Sequence, residues 1–254
     1  IKAAAPFSLK LMESLLAESP RHRGLLLAAA SGFTQYAYAF VQQDAEEIEA
    51  TDVAASLVMR NRARRLYLRA RDYAMRGLEV AHPGFAVALH ADAPAAVARL
   101  GKDDAPLAYW AAASWVAAIA IIKNDAALIS ELPLVDALAG RALAVDEAWD
   151  HGAIQAFFVS YELARSGGTA AGARAHFARA RELTGGAQAG PFVALAEGVA
   201  VAEQNRTEFE SLLHTALAVD AGAHPQWRLA NLMMQRRARW LLAHADDFVM
   251  PAKK

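Results

Sequence analysis

The 254-residue chain contains no cysteine, which excludes disulfide scaffolds, thiol redox enzymes and cysteine-ligated zinc fingers. A chain of this length buries a sizeable core without such staples. Charge of one sign is also missing: 26 Lys and Arg stand against 27 Asp and Glu, a net charge of −1. That balance argues against a nucleic-acid binder that relies on a broad basic excess. Strand signals are nearly absent, because β-branched runs with strict alternation do not occur. The start of the chain lacks the basic, apolar and small-residue order of an export signal, and Ile1 to Pro6 reads as the stub left by processing or truncation.

Alanine is abundant, at about a quarter of all positions, and it lifts the apolar fraction to 56%. Alanine favours helix and costs little to expose, so the chain reads as all-α. Two stretches imitate membrane spans. Gly24 to Gln43 is uncharged but carries Ser31, Thr34, Gln35, Gln42 and Gln43, which hydrocarbon would leave unsatisfied. Ala105 to Ile122 is short and leans on alanine. Both are expected to be buried helices of a helical array.

Spacing predicts helices over 6–17, 21–43, 46–82, 94–100, 106–124, 125–130, 132–145, 152–166, 169–184, 190–204, 206–219 and 225–245. Within them a pattern recurs. Ala63-Tyr67-Ala70 and Ala173-Phe177-Ala180 share a small residue, then an aromatic four on, then alanine three further on. Val135-Ala139-Ala142 and Phe209-Leu213-Ala216 keep the spacing. The last members fall at 70, 142, 180 and 216, steps of 72, 38 and 36, close to the 34 residues of a tetratricopeptide helix pair. Small residues at these positions let helices approach, and the larger residue fills the gap against the next pair. The expected architecture is a helical hairpin array, an α-solenoid of degenerate tetratricopeptide-like repeats. One domain is expected over 1–254: an N-terminal segment 1–20, about four repeats over 21–224, and a C-terminal capping helix over 225–250.

The blocks GLLLAAASGFTQYAYAF (24–40), ARRLYLRARDYAMRGLE (63–79), YWAAASWVAAIAI (109–121), LPLVDALAGRALAVDEAWDHGAI (132–154) and PFVALAEGVAVAEQNRTEFESLLHTAL (191–217) resemble the T component associated with tripartite ATP-independent periplasmic (TRAP) transporters. What is specific is the order and spacing of the blocks, from about Leu11 to Phe248. The resemblance implies a helical array with hidden tetratricopeptide repeats, exported to the periplasm and often a lipoprotein. It implies association with the transporter's soluble substrate-binding protein, a homotrimer, and a cleft that accepts a small organic or hydrophobic ligand. The chain lacks the N-terminal cysteine that would carry lipid, which the family pattern leads one to expect ahead of Ile1 or in a soluble member not at all.

No catalytic set, metal-ligand spacing or cofactor motif is visible, so the chain reads as a non-enzyme without cofactor or metal. The eight histidines are scattered, with His151 expected to cap the helix that follows it. The glycine pairs at 167–168 and 185–186 read as helix stops. The cluster Arg60, Arg62, Arg64, Arg65, Arg69, Arg71 and Arg76 is the strongest charge feature. It is expected to pair with the acidic run Asp44, Glu46, Glu47, Glu49 and Asp52, while anion binding by Arg62 or Arg65 stays open.

Helices that precede the repeat-type helices are expected to line a concave binding side. On the first of them Ser31, Gln35, Tyr38 and Gln42 share one face. Gln155, Phe158, Glu162 and Arg165 form a similar face further on. Trp110 and Ser114, with Trp115 beside them and Lys123-Asn124 closing the helix, offer apolar area with a polar handle. Candidate ligand or partner contacts are therefore Gln35, Tyr38, Gln42, Arg62, Arg65, Trp110, Ser114, Lys123, Asn124, Gln155 and Glu162. A second reading, a cytoplasmic tetratricopeptide scaffold that captures peptide segments of partner proteins, needs no export.

Overall fold

Asp52, Asp92, Asp125, Thr169 and Asn205 each accept a hydrogen bond from a backbone N–H three residues on, at 2.9–3.1 Å, and each opens a helix. His22 does the same through Nδ1, accepting from Leu25 at 3.1 Å. The computed structural model that these caps punctuate describes residues 2–121 and 125–251. Every regular element among them is helical, so the fold is all-α. The chain divides into two compact units, 1–146 and 147–254.

The first unit comprises α1 (Ala5–Glu18), α2 (Arg23–Ala37), α3 (Gln43–Ile48), α4 (Val53–Ala81), α5 (Phe85–Ala91), α6 (Ala93–Ala98), α7 (Ala105–Ile121), α8 (Ala126–Ile129) and α9 (Leu132–Val145). A π-helical turn, Tyr38–Gln42, joins α2 to α3 without a break. The helix at its centre is α7, packed on α2, α4 and α9. Arg23–Ile48 and Lys102–Ile121 are long and apolar enough to cross a membrane by length and composition. Yet α7 buries Leu107, Ala108, Ala111, Ala112, Trp115, Ala118 and Ile119 inside the unit. Alanine makes that density possible, as does Gly77 of α4: a Cβ there would come within 2.6 Å of the Leu107 side chain.

The second unit holds α10 (Ala153–Tyr161), α11 (Ala170–Thr184), α12 (Gly190–Leu195), α13 (Arg206–Ala218), α14 (Arg228–Ala243) and α15 (Ala245–Phe248). A second π-helical turn, Ala196–Ala200, extends α12. Phe192, Val193, Phe209, Leu213, Ala216, Ala238 and Leu241 form its main core, and Phe177 packs against both this cluster and a smaller one around Val159 and Leu195. Polar side chains of α14 fasten it. Asn231 accepts from the Ala189 N–H and donates to the Ala187 carbonyl, each at 2.9 Å. Gln235 donates to the Val219 carbonyl at 2.7 Å, just beyond the end of α13. The approach to α10 is strained: Asp150, His151 and Gly152 have φ of 45°, 55° and 85° in succession.

The observed elements depart from the expected ones in four places, one being the C-terminal capping helix, which is a 3-10 turn at Pro225–Trp227 followed by α14 and, past non-helical His244, α15. A turn at Glu49 to Asp52 separates α3 from α4, where one start at 46 was expected; Asp52 supplies the cap. Helix α5 lies after Pro83-Gly84, where no helix was expected, because the Glu79 carboxylate accepts from the Gly84 and Ala86 N–H groups at 2.8 and 2.7 Å and starts it. Helix α10 ends at Tyr161 rather than 166. His151 does not cap it: Gly152 holds that position without a side-chain cap, and the His151 ring meets Trp227 edge-on at 5.0 Å.

The repeat positions lie in the helix seams. Ala63, Tyr67, Ala70, Ala142, Ala173, Ala180, Leu213 and Ala216 are buried, and Phe177 is half-buried.

Candidate functional site

Helix α4 runs beside α2 and the π-helical turn that extends it, and five of the nine expected first-unit contacts, Gln35, Tyr38, Gln42, Arg62 and Arg65, fall on these elements. Tyr67, buried, donates its hydroxyl to Gln42 Oε1 at 2.7 Å, and the Gln42 amide donates to Glu46 at 2.9 Å. Burial holds the Tyr67 phenol well above its usual range, with Tyr38 and Glu46 adding to the effect, so it stays a donor at neutral pH. Tyr38 and Gln42 are half-buried and Gln35 is exposed. The expected face is thus split, with Gln42 drawn into an interhelical chain and Gln35 left to solvent. One residue along, Gln43 is 1% exposed and neither amide atom has a hydrogen-bond partner among the described residues; the buried Ser56 hydroxyl of α4 is likewise unpaired.

The arginines of α4 do not all turn to the acidic run. Arg60 pairs with Glu49, but Arg64 pairs with Asp125 at 2.8 Å and Arg69 with Glu13 at 3.3 Å. Arg71 lies 4.9 Å above the Trp115 ring and 3.9 Å from Glu131. Of the run itself, Asp44 meets Lys2 and Asp52 caps α4. Arg62 donates to the Tyr36 hydroxyl at 3.1 Å, and Arg76 to the Pro20 carbonyl at 3.2 Å. Arg65 is exposed and has no partner among the described residues. The helix is long enough to send arginines in several directions, so Arg60 turns to the acidic run at Glu49 while Arg71 turns to its own neighbour Asp72 at 2.9 Å.

Two expected cleft residues on α7 are structural. Ser114 is fully buried and donates to the Trp110 carbonyl at 2.6 Å, within its own helix. Trp115 is buried with its indole N–H donating to Glu131 at 2.8 Å. Trp110 is half-buried, edge-on to Tyr109 at 4.8 Å. Lys123 and Asn124 lie outside the described residues.

In the second unit the expected face of α10 is turned onto α11. The Gln155 amide donates to Glu147 at 3.0 Å, and its Oε1 accepts from His176 Nδ1 at 2.6 Å. Glu162 accepts from Arg165 at 3.0 Å and lies 3.9 Å from His176 Nε2. The His176 ring stacks on Phe158 at 4.9 Å. Burial lowers the His176 pKa, Glu162 raises it and Arg165 lowers it, with a net fall. Gln155 and Glu162 are buried, so they are partners of one another's helices rather than an open cleft. His176 escaped the sequence reading, although its place three residues after the repeat alanine Ala173 put it near the seam.

Among the described residues no group of three or more His, Asp or Glu side chains is placed to hold a metal ion. A surface depression of about 360 Å³ lies over Pro20, Arg21, Arg76, Glu79, Val80 and Pro83. It continues the arginine face of α4 past Arg76.

A family model described as TRAP transporter T-component matches residues 1–249. A protein of Treponema pallidum (strain Nichols), described as an uncharacterized protein, is 29% identical over 257 residues, covering 98% of this chain and 80% of that protein.

Proposed function

The chain belongs to the TRAP transporter T-component family, and from that membership we propose that it docks the periplasmic substrate-binding protein of a TRAP-type uptake system and holds or passes a small ligand. The family is an accessory component of the transporter, and the match over nearly the whole chain is the observation that carries the reading. TRAP components work in a periplasmic or membrane context, and we place this chain in the periplasm, attached through an N-terminal lipid and assembled as a homotrimer. Degenerate tetratricopeptide-like repeats suit such a role, because seams lined with Ala63, Ala70, Ala142, Ala173, Ala180 and Ala216 leave helix faces free for a partner. Its task is non-enzymatic. An apolar outer face on α1, where Phe7, Leu11 and Leu15 recur every fourth residue at 73%, 50% and 46% exposure, agrees with burial in an assembly.

Sedimentation of the chain with its cognate substrate-binding protein tests the docking claim. A complex is expected at tens of micromolar, and its absence there overturns the reading. Light scattering across the same concentrations reads the homotrimer, which a monomer throughout would remove.

A further inference from the structure

Helix α4 carries seven arginines against Asp72 and Glu79. Four of them, Arg62, Arg65, Arg69 and Arg76, are exposed and follow one another at spacings of three, four and seven residues, which sets them on one face. Exposed Val58, one turn before Arg62, belongs to the same face. The stripe from Arg62 to Arg76 runs about 21 Å.

Beneath it lies a floor of aromatic rings. The Arg62 guanidinium sits 5.9 Å from the Tyr36 ring centre, Arg69 5.5 Å from Phe33 and Arg76 5.4 Å from Tyr73. Phe33 and Tyr73 themselves stack at 5.8 Å. A guanidinium held over a ring has five N–H groups, of which each of these uses one within the chain, and it loses part of its rotamer freedom before any partner arrives. The charge is largely uncompensated. Among the described residues Arg62 and Arg76 donate only to neutral oxygens, Arg65 has no partner, and Glu13 divides itself between Arg69, Lys10 and the Tyr73 hydroxyl.

We propose that this stripe is the docking face for a protein that presents a row of carboxylates, with Val58 as the apolar contact at one end. Resting on the docking reading above, that protein is the substrate-binding protein. Its length exceeds what a small anion can span. Fixed spacing on rings rewards a partner whose carboxylates are also fixed, as on a helix or strand, and a fluid layer of lipid headgroups gains nothing from it. Arginine forks donate two parallel hydrogen bonds to a carboxylate, and such pairs set association rate and orientation.

The test is calorimetric titration of the full chain with the substrate-binding protein at low and high sodium chloride, for wild type, Arg62→Glu with Arg65→Glu, and Arg62→Gln with Arg65→Gln. Thermal midpoints of both variants check that the fold is kept. The proposal expects wild-type affinity to fall at least about tenfold from low to high salt, and the charge reversal to weaken binding by at least about tenfold, the glutamine pair by less. A wild-type complex that both variants form with unchanged affinity overturns the stripe and leaves docking intact. No wild-type complex overturns both. Charge reversal that spares the protein complex but abolishes binding to phosphatidylglycerol vesicles overturns the assignment to a protein partner.

Discussion

Gly140 and Gly168 respond in opposite directions to the same added methyl group. Gly140 lies on α9 with open space where a Cβ would go. Gly140→Ala is expected to stabilise by about 0.5–1 kcal/mol, since alanine loses less backbone freedom in a helix. A Cβ at Gly168 would overlap the Glu162 carbonyl oxygen, a backbone atom that cannot swing aside. Gly168→Ala is expected to cost about 1–3 kcal/mol. Thermal unfolding followed by circular dichroism reads both, and shifts of the same sign would refute the packing described around Glu162. His176 gives a second expectation. Its folded pKa lies below that of the unfolded chain, so the unfolded state binds protons first. The contribution is complete above about pH 6.5 and is lost as pH falls towards the folded value. Glu13, Asp104 and Glu208, whose pKa values are also lowered, extend the loss into more acid conditions. His176→Gln should therefore flatten the decline in melting temperature between about pH 7 and 5; an unchanged slope would place the proton uptake elsewhere. Single residues were legible where their role was to be small. Ser114 and Gln155 were misplaced because a polar side chain on a helix face satisfies itself within the protein as readily as it meets a ligand, and spacing is the same in both cases.

All helices but α5 lay within an expected helical stretch or at its edge, and the misjudgements fell at their joints. The stripe Ser31, Gln35, Tyr38 and Gln42 is continuous only at α-helical spacing, and the π-helical turn at Tyr38–Gln42 changes that spacing where the stripe ends. Nothing in the local composition marks the turn. The break between α3 and α4 contains neither glycine nor proline, so only the Asp52 cap could have revealed it. The seams are a stronger expectation. Ala70 is fully buried on the side of α4 that carries Ala63, Tyr67 and Ala74. Ala70→Leu is expected to cost about 1–3 kcal/mol or more, because helix separation is set by the alanine. Ala98→Leu, at an exposed position ending α6, should change stability by less than about 0.5 kcal/mol. Equal urea midpoints for the two would show that the seam is loosely packed.

At the scale of the molecule, the all-α class and the family were both legible, from composition and from the order of blocks. Division into units at 146/147 was not, because the boundary falls among ordinary residues, with no linker composition. The first residues of the second unit combine exposed Glu147, Ala148, Asp150 and His151 with two successive left-handed non-glycine residues. Limited proteolysis of the native chain with a glutamate- or aspartate-directed protease is expected to cut first within 147–151. Primary cleavage at Asp72 or Glu79, inside α4, would contradict the packing described for that helix.

The placement of Trp115 has an optical consequence. Its indole is shielded from water, bonded to Glu131 and faced by Arg71. Trp110 is the other indole of the first unit, while Trp149, Trp227 and Trp240 belong to the second. A variant with Trp110, Trp149, Trp227 and Trp240 replaced by phenylalanine would emit from Trp115 alone, at the blue end of the indole range. Red-shifting of that emission would report the opening of the α7 seam by itself, giving the protein a built-in lamp for one unit without an added dye.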